Sequence, residues 1–205
     1  MQIHLLRHGE TEMNARGTFC GFSDPVLSEN GRHQARFVAE EIKNYNYTRI
    51  IVSPLKRAVE TAVIATGLKP EHFELQPDLR EMNFGAWENM TYEEIMATGG
   101  TYAKKWEADN LNVPCLEGES MKTFHERVMN AYETLSAGFK EDDRILIVSH
   151  AGVIRSFLTE WLHGSMEGYW RYKIDNCGHA IVDYIDGYAV LVQLKSPFPA
   201  PERSF

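Results

Sequence analysis

The chain has 205 residues, of which 43% are hydrophobic and 24% are charged, and its formal net charge is −8. This length and composition are typical of one soluble domain with a sizeable core. The acidic balance argues against a nucleic-acid-binding protein, because such proteins carry a clustered basic excess. An anionic substrate would need a local basic pocket that works against the overall negative field.

The sequence gives no sign of a disulfide framework, a structural metal or a membrane anchor. Cys20, Cys115 and Cys177 are far apart and form no Cys-x-x-Cys pair, which argues against disulfides and a zinc knuckle. No apolar run approaches the ~20 residues of a membrane span. Arg7 and His8 interrupt the N-terminal run too early for a secretion signal. We therefore expect a cytoplasmic protein without membrane contact.

The N-terminal residues 3–14 (IHLLRHGETEMN) begin as an apolar run and become polar at Arg7. Such a run before a glycine suits a buried strand, although its length does not exclude a helix. A strand would deliver Arg7 and His8 at its carboxyl end, where open α/β sheets place ligands. The alternative is an ordinary strand end with solvated side chains.

A long helix is predicted to begin after Ser28, whose hydroxyl suits the N-cap position, with Glu29 in the first turn. Residues 44–46 (NYN) end this helix. Apolar residues at helical spacing predict one buried face, formed by Ala35, Phe37, Val38 and Ile42.

A second buried strand over residues 50–52 is predicted to lead into a helix over residues 55–66. Ser53 suits the N-cap, and Pro54 suits the first helical position. The first turn then carries two cations, the second of which is Arg57. Cations are disfavoured at a helix N-terminus, where the macrodipole is already positive. An anion bound at this helix end would resolve the conflict.

The middle of the chain is less regular. Residues 73–75 suit a short edge strand, residues 78–87 a loop, and residues 91–138 several helical pieces, the longest of which begins at Ser120. Three aromatic residues in this region are predicted to pack in the core, with a pocket for a ring-bearing substrate as the alternative: Trp87, Tyr102 and Trp106.

The third strand, residues 145–149 (ILIVS), is followed by His150 and a predicted helix over residues 152–162. Asp186-Gly187 predicts a hairpin, whose strands are residues 180–185 and 188–194. Residues 196–205 are predicted to form a surface tail.

Three alternations of strand and helix predict parallel strands joined by crossover helices. We therefore predict a three-layer α/β/α fold, with a mostly parallel central sheet, a C-terminal antiparallel hairpin and helices on both faces. We predict that residues 1–205 form one domain, with a helical cap insertion at about residues 88–119. Right-handed crossovers bring the strand ends to one edge of the sheet, where Arg7-His8, residues 53–57 and His150 would share a pocket.

Two imidazoles and two guanidiniums suit a dianionic phosphoryl group, since Arg grips it with two hydrogen bonds and a neutral His can attack phosphorus. No Walker motif or kinase signature is present in the sequence. The predicted partner is therefore a small phosphorylated metabolite rather than a nucleoside triphosphate.

Four motifs, in this order, resemble those of the histidine phosphatase (phosphoglycerate mutase-like) superfamily over essentially the whole chain. They are residues 6–11 (LRHGET), 53–58 (SPLKRA), 79–85 (LREMNFG) and 149–152 (SHAG). The tripeptide Arg7-His8-Gly9 alone could recur by chance, but four motifs in this order are specific to the superfamily. The resemblance implies the three-layer fold and phosphohistidine chemistry.

By the same resemblance, His8 is the nucleophile and Glu81 the general acid and base. Arg7, Arg57 and His150 would hold the phosphoryl oxygens. Fixed donors of this kind meet the charge of the transition state, so we expect no metal or other cofactor to take part.

Two further positions match substrate-binding residues of the superfamily. Asn14 matches a phosphate-contacting asparagine, with a helix cap as its alternative role. Gly21 matches a glycine whose backbone lies along the substrate. Cys20 stands where relatives often have a small hydroxyl residue, so that contact departs from the pattern.

Within the superfamily, the segment after the general acid bears on the substrate. Residues 88–119 contain Lys104 and Lys105 as their only cations, against seven acidic side chains. This disfavours a phosphoglycerate mutase, because a second anionic group would be poorly held there. Residues 81–88 (EMNFGAWE) are similar to the α-ribazole phosphatases of cobalamin assembly, so α-ribazole 5′-phosphate is the predicted substrate.

Three alternatives remain open. One is a broad small-metabolite phosphatase with the same motifs. Another is a zinc hydrolase that uses His8, Glu10 and Cys115, although the second cysteine expected at position 118 is a glycine. The third is an inactive phosphate-binding module, against which the complete set of motifs argues.

Overall fold

A computed structural model describes residues 1–197 of the chain. The surface tail predicted at residues 196–205 lies outside the described residues from position 198 onward. The strands are β1 (Gln2–Arg7), β2 (Arg49–Val52), β3 (Glu74–Leu75), β4 (Arg144–Ser149), β5 (His179–Ile185) and β6 (Tyr188–Lys195). The α-helices are α1 (Glu12–Ala15), α2 (Glu29–Ile42), α3 (Lys56–Thr66), α4 (Tyr92–Thr98), α5 (Gly100–Ala108), α6 (Met121–Ser136) and α7 (Ala151–His163). Short 3₁₀ turns lie at Pro70–His72, Pro77–Leu79, Gly85–Trp87 and Met166–Arg171.

The strands form one six-stranded sheet in the order β3-β2-β4-β1-β5-β6. The first four of these strands are parallel, whereas β5 pairs antiparallel with β1, and β6 pairs antiparallel with β5. The predicted mostly parallel sheet with a C-terminal antiparallel hairpin is therefore confirmed.

The register of the parallel strands places their carboxyl ends together. Arg7 lies opposite Ser149, and Val52 lies opposite Val148. Because the strands point the same way, the residues that follow them emerge at one edge of the sheet, and these are His8, Ser53 and His150. We call this the C-terminal edge.

Helices cover both faces of the sheet, as predicted. Alternate residues of β1 point to opposite faces, so Leu6 packs in one hydrophobic cluster while Ile3 and Leu5 pack in the other. The Leu6 cluster includes residues of α2 and α3, and the other includes residues of α6 and α7. The helices of residues 1–197 include none that is long and apolar enough to cross a bilayer.

Two local predictions were wrong. Ser53 does not cap α3, whose N-cap residue is Leu55, because its hydroxyl instead forms a hydrogen bond with His150. Pro54 therefore precedes the helix rather than opening it. Phe37 does not join the buried face of α2 and is 41% exposed, since it lies about 200° around the helix from Ala35.

Residues 88–119 contain α4 and α5, which follow each other at the glycine pair 99–100. The predicted packing roles of Trp87 and Trp106 are confirmed, because both are buried and their rings lie 5.1 Å apart. Tyr102 packs at 6.1 Å from Trp87. The role of this segment as a cap remains a prediction.

Candidate active site

His8 follows β1 directly and is 3% exposed. Its Nδ1 lies 2.6 Å from the carbonyl oxygen of Gly9, and its Nε2 lies 3.3 Å from Nε of Arg57. A carbonyl only accepts and a guanidinium only donates, so these partners put the proton on Nδ1 and leave a lone pair on Nε2. Burial, followed by the charges of Arg57 and Arg7, holds the pKa of His8 well below its usual value. The imidazole is therefore neutral, as a nucleophile must be.

Arg57 explains the unusual cation in the first turn of α3. Its side chain is completely buried and turns towards the loop before α2. Nη1 donates to the carbonyl oxygen of Ser23 at 2.6 Å, and Nη2 donates to that of Gly21 at 2.8 Å and that of Cys20 at 3.3 Å. These hydrogen bonds fix the guanidinium plane beside His8.

Arg7 brings a second cation to the same edge. Its Nη1 donates to the carbonyl oxygen of Ile174 at 2.7 Å, while its buried Nε has no hydrogen-bond partner among residues 1–197. Burial lowers the pKa of Arg7 to about 10, with Arg155 acting in the same direction and Glu81 opposing it. The side chain stays charged near neutral pH, and its free N–H suits an anionic ligand.

His150 forms the N-cap of α7 and is fully buried. Its ring lies 5.1 Å from that of His8, and its Nε2 lies 2.8 Å from the hydroxyl of Ser53. Its Nδ1 is buried without a partner in the described part of the chain. Burial and the charge of Arg57 hold the pKa of His150 well below its usual value. A neutral imidazole can thus donate one hydrogen bond to an oxygen at this edge.

Glu81 reaches the same edge from the loop after Pro77–Leu79. One carboxylate oxygen accepts a hydrogen bond from the amide of Met82 at 2.9 Å, and the other accepts one from the amide of Gly152 at 3.0 Å. A Cβ on Gly152 would lie 2.2 Å from Oε1 of Glu81. Only glycine at position 152 lets the carboxylate approach the first turn of α7 this closely.

A residue that the sequence did not single out for the site holds the Glu81 loop. Arg127, on α6, forms a two-pronged ion pair with Glu119, at 2.7 and 2.8 Å. The same guanidinium donates to the carbonyl oxygens of Asp78 at 2.6 Å and Glu81 at 3.2 Å. The sequence offered one sign of this ion pair, namely that Glu119 and Arg127 lie eight residues apart on either side of the α6 N-cap, Ser120.

Asn14 lies close to His8 but has a structural role in its own helix. Its Oδ1 accepts hydrogen bonds from the Thr11 amide at 3.1 Å and from Nδ2 of Asn176 at 3.3 Å. Nδ2 of Asn176 also donates to the carbonyl oxygen of His8 at 3.2 Å. The capping role that was the alternative for Asn14 is therefore present, and its contact with substrate remains a prediction.

Gly21 lies in the loop that Arg57 holds. A Cβ at this position would lie 1.8 Å from the carbonyl oxygen of Met82, so the close approach of the two loops requires glycine. The Gly21 amide donates to Glu88 at 3.1 Å, and so does the Phe22 amide, at 2.8 Å. Glu88 thereby fixes this loop, and the contact of Gly21 with substrate remains a prediction.

A cavity of about 190 Å³ opens next to Glu81. Of the residues that line it, the sequence indicated Glu81, Phe84 and Gly152 within motifs and Trp106 as a possible pocket residue. The remaining lining residues come from separate loops and helices and share no spacing. A larger cleft of about 700 Å³ lies at the opposite edge of the sheet, by Gln2 and Arg144, away from His8. The prominent side chains that line the smaller cavity are Phe19, Phe84, Trp106, Arg155, Tyr169 and Trp170.

The donors of the alternative zinc site are not gathered in one place. Oε1 of Glu10 accepts a hydrogen bond from the Ser28 hydroxyl at 2.9 Å, whereas Cys115 is buried in a hydrophobic cluster. Across residues 1–197, no three His, Cys, Asp or Glu side chains are arranged to hold a metal ion.

Comparison with known proteins agrees with this geometry. An adenosylcobalamin/alpha-ribazole phosphatase of Salmonella typhimurium is 30% identical over 198 residues, which are 96% of both chains. Phosphoserine phosphatase 1 of Hydrogenobacter thermophilus is 27% identical over 95% of this chain and 92% of its own.

Solved structures give the same result. A putative alpha-ribazole-5′-P phosphatase from Escherichia coli superimposes with a TM-score of 0.90 at 26% identity, covering 98% of this chain and 99% of its own. A phosphoserine phosphatase mutant from Entamoeba histolytica in complex with phosphoserine gives a TM-score of 0.81 at 30% identity, covering 96% and 97%. The sequence model of the histidine phosphatase superfamily (branch 1) matches residues 3–197. The chain therefore belongs to the histidine phosphatase superfamily.

Proposed function

We propose that this phosphatase hydrolyses α-ribazole 5′-phosphate through a phosphohistidine formed on His8. The observation that carries the mechanism is the pair of contacts of buried His8: Nδ1 lies 2.6 Å from the Gly9 carbonyl oxygen, and Nε2 lies 3.3 Å from Nε of Arg57. These contacts leave the neutral imidazole with a lone pair on Nε2. The substrate is supported by the two α-ribazole phosphatase relatives, which match this chain over nearly its full length.

In the first step, Nε2 of His8 attacks phosphorus and the bond between phosphorus and the ester oxygen breaks. Glu81, in its protonated form, gives its proton to the departing oxygen, so the alcohol leaves neutral. Arg7, Arg57 and His150 donate hydrogen bonds to the phosphoryl oxygens, whose charge spreads in the transition state. The chain itself thus supplies the cations that this step requires.

In the second step, the Glu81 carboxylate takes a proton from a water molecule, whose oxygen attacks the phosphorus of the phosphohistidine. The bond between phosphorus and Nε2 breaks, inorganic phosphate forms, and His8 regains its lone pair. Glu81 is protonated again for the next turnover. The amides of Met82 and Gly152 hold its carboxylate in place for both transfers.

The second candidate is a phosphatase of broad specificity for small metabolites. It is favoured by the likeness to phosphoserine phosphatases, one of which is 30% identical in its solved structure. The few cations in residues 88–119 argue against a mutase. We propose that this segment is a helical cap over the substrate, that Asn14 and Gly21 contact the substrate, and that the enzyme works in the cytoplasm.

Initial rates on four phosphomonoesters test the substrate. α-Ribazole 5′-phosphate should be turned over with a much higher kcat/KM than 3-phosphoglycerate, phosphoserine or p-nitrophenyl phosphate. Turnover no better than on p-nitrophenyl phosphate would reject α-ribazole 5′-phosphate and favour the broad phosphatase. Rapid acid-free quenching with labelled substrate should trap an acid-labile phosphoenzyme, and its absence would reject the phosphohistidine mechanism.

A further inference from the structure

The cavity beside Glu81 is bordered by two separate aromatic sets. In one set, the ring of Phe19 lies 4.8 Å from that of Phe84 and 6.1 Å from that of Trp106. In the other, the rings of Tyr169 and Trp170 lie 5.1 Å apart, nearly perpendicular to each other. Both sets line the same space of about 190 Å³. A flat ring placed in this cavity would meet aromatic surface from both sets.

Trp170 differs from the other lining residues because it is 69% exposed. It lies in the 3₁₀ turn Met166–Arg171, which follows α7. An indole is a large apolar surface, so leaving it in water gives up stabilisation that a bound apolar group would restore. Exposed aromatic side chains at the mouth of a cavity therefore point to a ligand.

The orientation of Trp170 is set by a cation. The Arg155 guanidinium lies over its ring at 5.2 Å from the centroid, and lies 5.9 Å from the centroid of Tyr169. Arg155 is in turn fixed, because its Nε donates to the carbonyl oxygen of Tyr172 at 2.9 Å. The cation–π contact favours this position of the exposed indole.

We propose that Trp170 is a specificity-determining residue that stacks on an aromatic ring of the leaving group. The inference rests on the proposed function, in which Glu81 protonates the ester oxygen, so the alcohol part of the substrate must extend into the cavity that Glu81 borders. The substrate class is then a phosphomonoester whose alcohol carries a flat ring. A small alcohol such as serine or glycerate would leave the aromatic surfaces of the cavity exposed to water.

A matched pair of substrates isolates the ring. α-Ribazole 5′-phosphate and ribose 5-phosphate share the reacting phosphomonoester on a ribose, and they differ in the base. In Trp170→Ala, kcat/KM for the ring-bearing ester should fall about tenfold, as for other aromatic platforms that stack on a base. The fall should arise mainly in KM, while ribose 5-phosphate should change by less than about twofold, since it makes no stacking contact.

Two variants serve as controls. Trp170→Phe retains a ring and should recover most of the lost kcat/KM. Tyr188→Ala removes another exposed aromatic side chain, on the distant strand β6, and should leave both substrates unaffected. Circular dichroism and thermal unfolding should show that Trp170→Ala folds as the wild type does.

The outcomes separate this inference from the proposed function. The inference is overturned if Trp170→Ala leaves the ratio of kcat/KM between the two substrates unchanged, or if the wild type shows no preference for the ring-bearing ester. A wild type that forms no phosphoenzyme with any ester would instead overturn the proposed function. A selective loss on the ring-bearing ester, restored by Trp170→Phe, supports the role of Trp170.

Discussion

The proposed phosphate pocket and the cavity next to it are built in opposite ways. His8, Arg57 and His150 are almost completely buried, and they come from short motifs at the ends of neighbouring strands or at the start of a helix. The cavity is lined by aromatic side chains from scattered segments, and Trp170 is mostly exposed. The sheet thus places the charged groups, while loops at its edge build the surface that we propose to meet the rest of the substrate.

The difference in burial has an energetic consequence. Charges act strongly in the buried pocket because little water screens them, and removal of one of them should cost several orders of magnitude in rate. Apolar contacts in the cavity are individually weak, so their loss should change selectivity by about tenfold. Substitutions in the pocket are therefore expected to lower the rate on every substrate, whereas substitutions in the cavity should change the selectivity between substrates.

The largest effect is expected for His8→Ala. Removal of the nucleophile should lower kcat by at least about a thousandfold on every phosphomonoester. The other catalytic residues act together with the nucleophile, so they contribute little once it is removed. The loss should be equal for ring-bearing and ring-free substrates. Steady-state kinetics and phosphoenzyme trapping test this, and activity within tenfold of the wild type would show that the reaction does not pass through His8.

Glu81→Gln should come next, and its effect should depend on the leaving group. Loss of a general acid costs on the order of 10² to 10⁴ in rate, and the full loss is expected for ribazole or ribose esters. Phosphoenzyme formation from p-nitrophenyl phosphate should suffer much less, because p-nitrophenolate leaves without a proton. Single-turnover rates on both esters provide the measurement. An equal loss on both would assign Glu81 a structural role instead.

Gly152→Ala should have an intermediate effect on the same group. The new Cβ would lie 2.2 Å from Oε1 of Glu81, so the carboxylate must shift, and a shift of about 1 Å can cost on the order of 10²-fold in rate. The loss should again be greater for sugar esters than for p-nitrophenyl phosphate. Gly138→Ala is a suitable control, because a Cβ there would make an ordinary contact of 3.5 Å with Arg49.

The sequence predicted which residues meet at the C-terminal edge of the sheet but not how they are held. Strand ends and their order along the chain were sufficient to bring His8, Arg57 and His150 to one edge. Ser53 was assigned to a helix cap because local propensity suggested one, whereas the structure uses its hydroxyl on His150 across the sheet. Such a choice depends on tertiary contacts that no local pattern records.

The cavity could not be predicted in the same way. Phe19, Arg155 and Trp170 are separated by long stretches of chain, and each follows ordinary local rules. Among the aromatic lining residues, Phe84 lay within the third motif, and Trp106 was indicated on its residue type alone. A loop residue such as Asn176, which donates to the carbonyl oxygen of His8, likewise carries no periodic signal. Most of the residues that line the cavity, and those such as Asn176 that hold the pocket in place, are therefore found from the fold rather than from motifs.

The smallest expected effect concerns pH and distinguishes the buried pocket from the open cavity. The pKa of His8 is well below its usual value in the folded protein, whereas in the unfolded chain it is about 6.5. As the pH falls below about 6.5, the unfolded chain binds a proton that the folded protein does not, so stability falls, by up to about 1.4 kcal/mol per pH unit for each such histidine. His8→Ala should therefore lose less stability between pH 7 and pH 5 than the wild type, while Trp170→Ala should keep the wild-type slope. Urea unfolding at several pH values measures this, and identical slopes for wild type and His8→Ala would show that His8 binds its proton equally in both states.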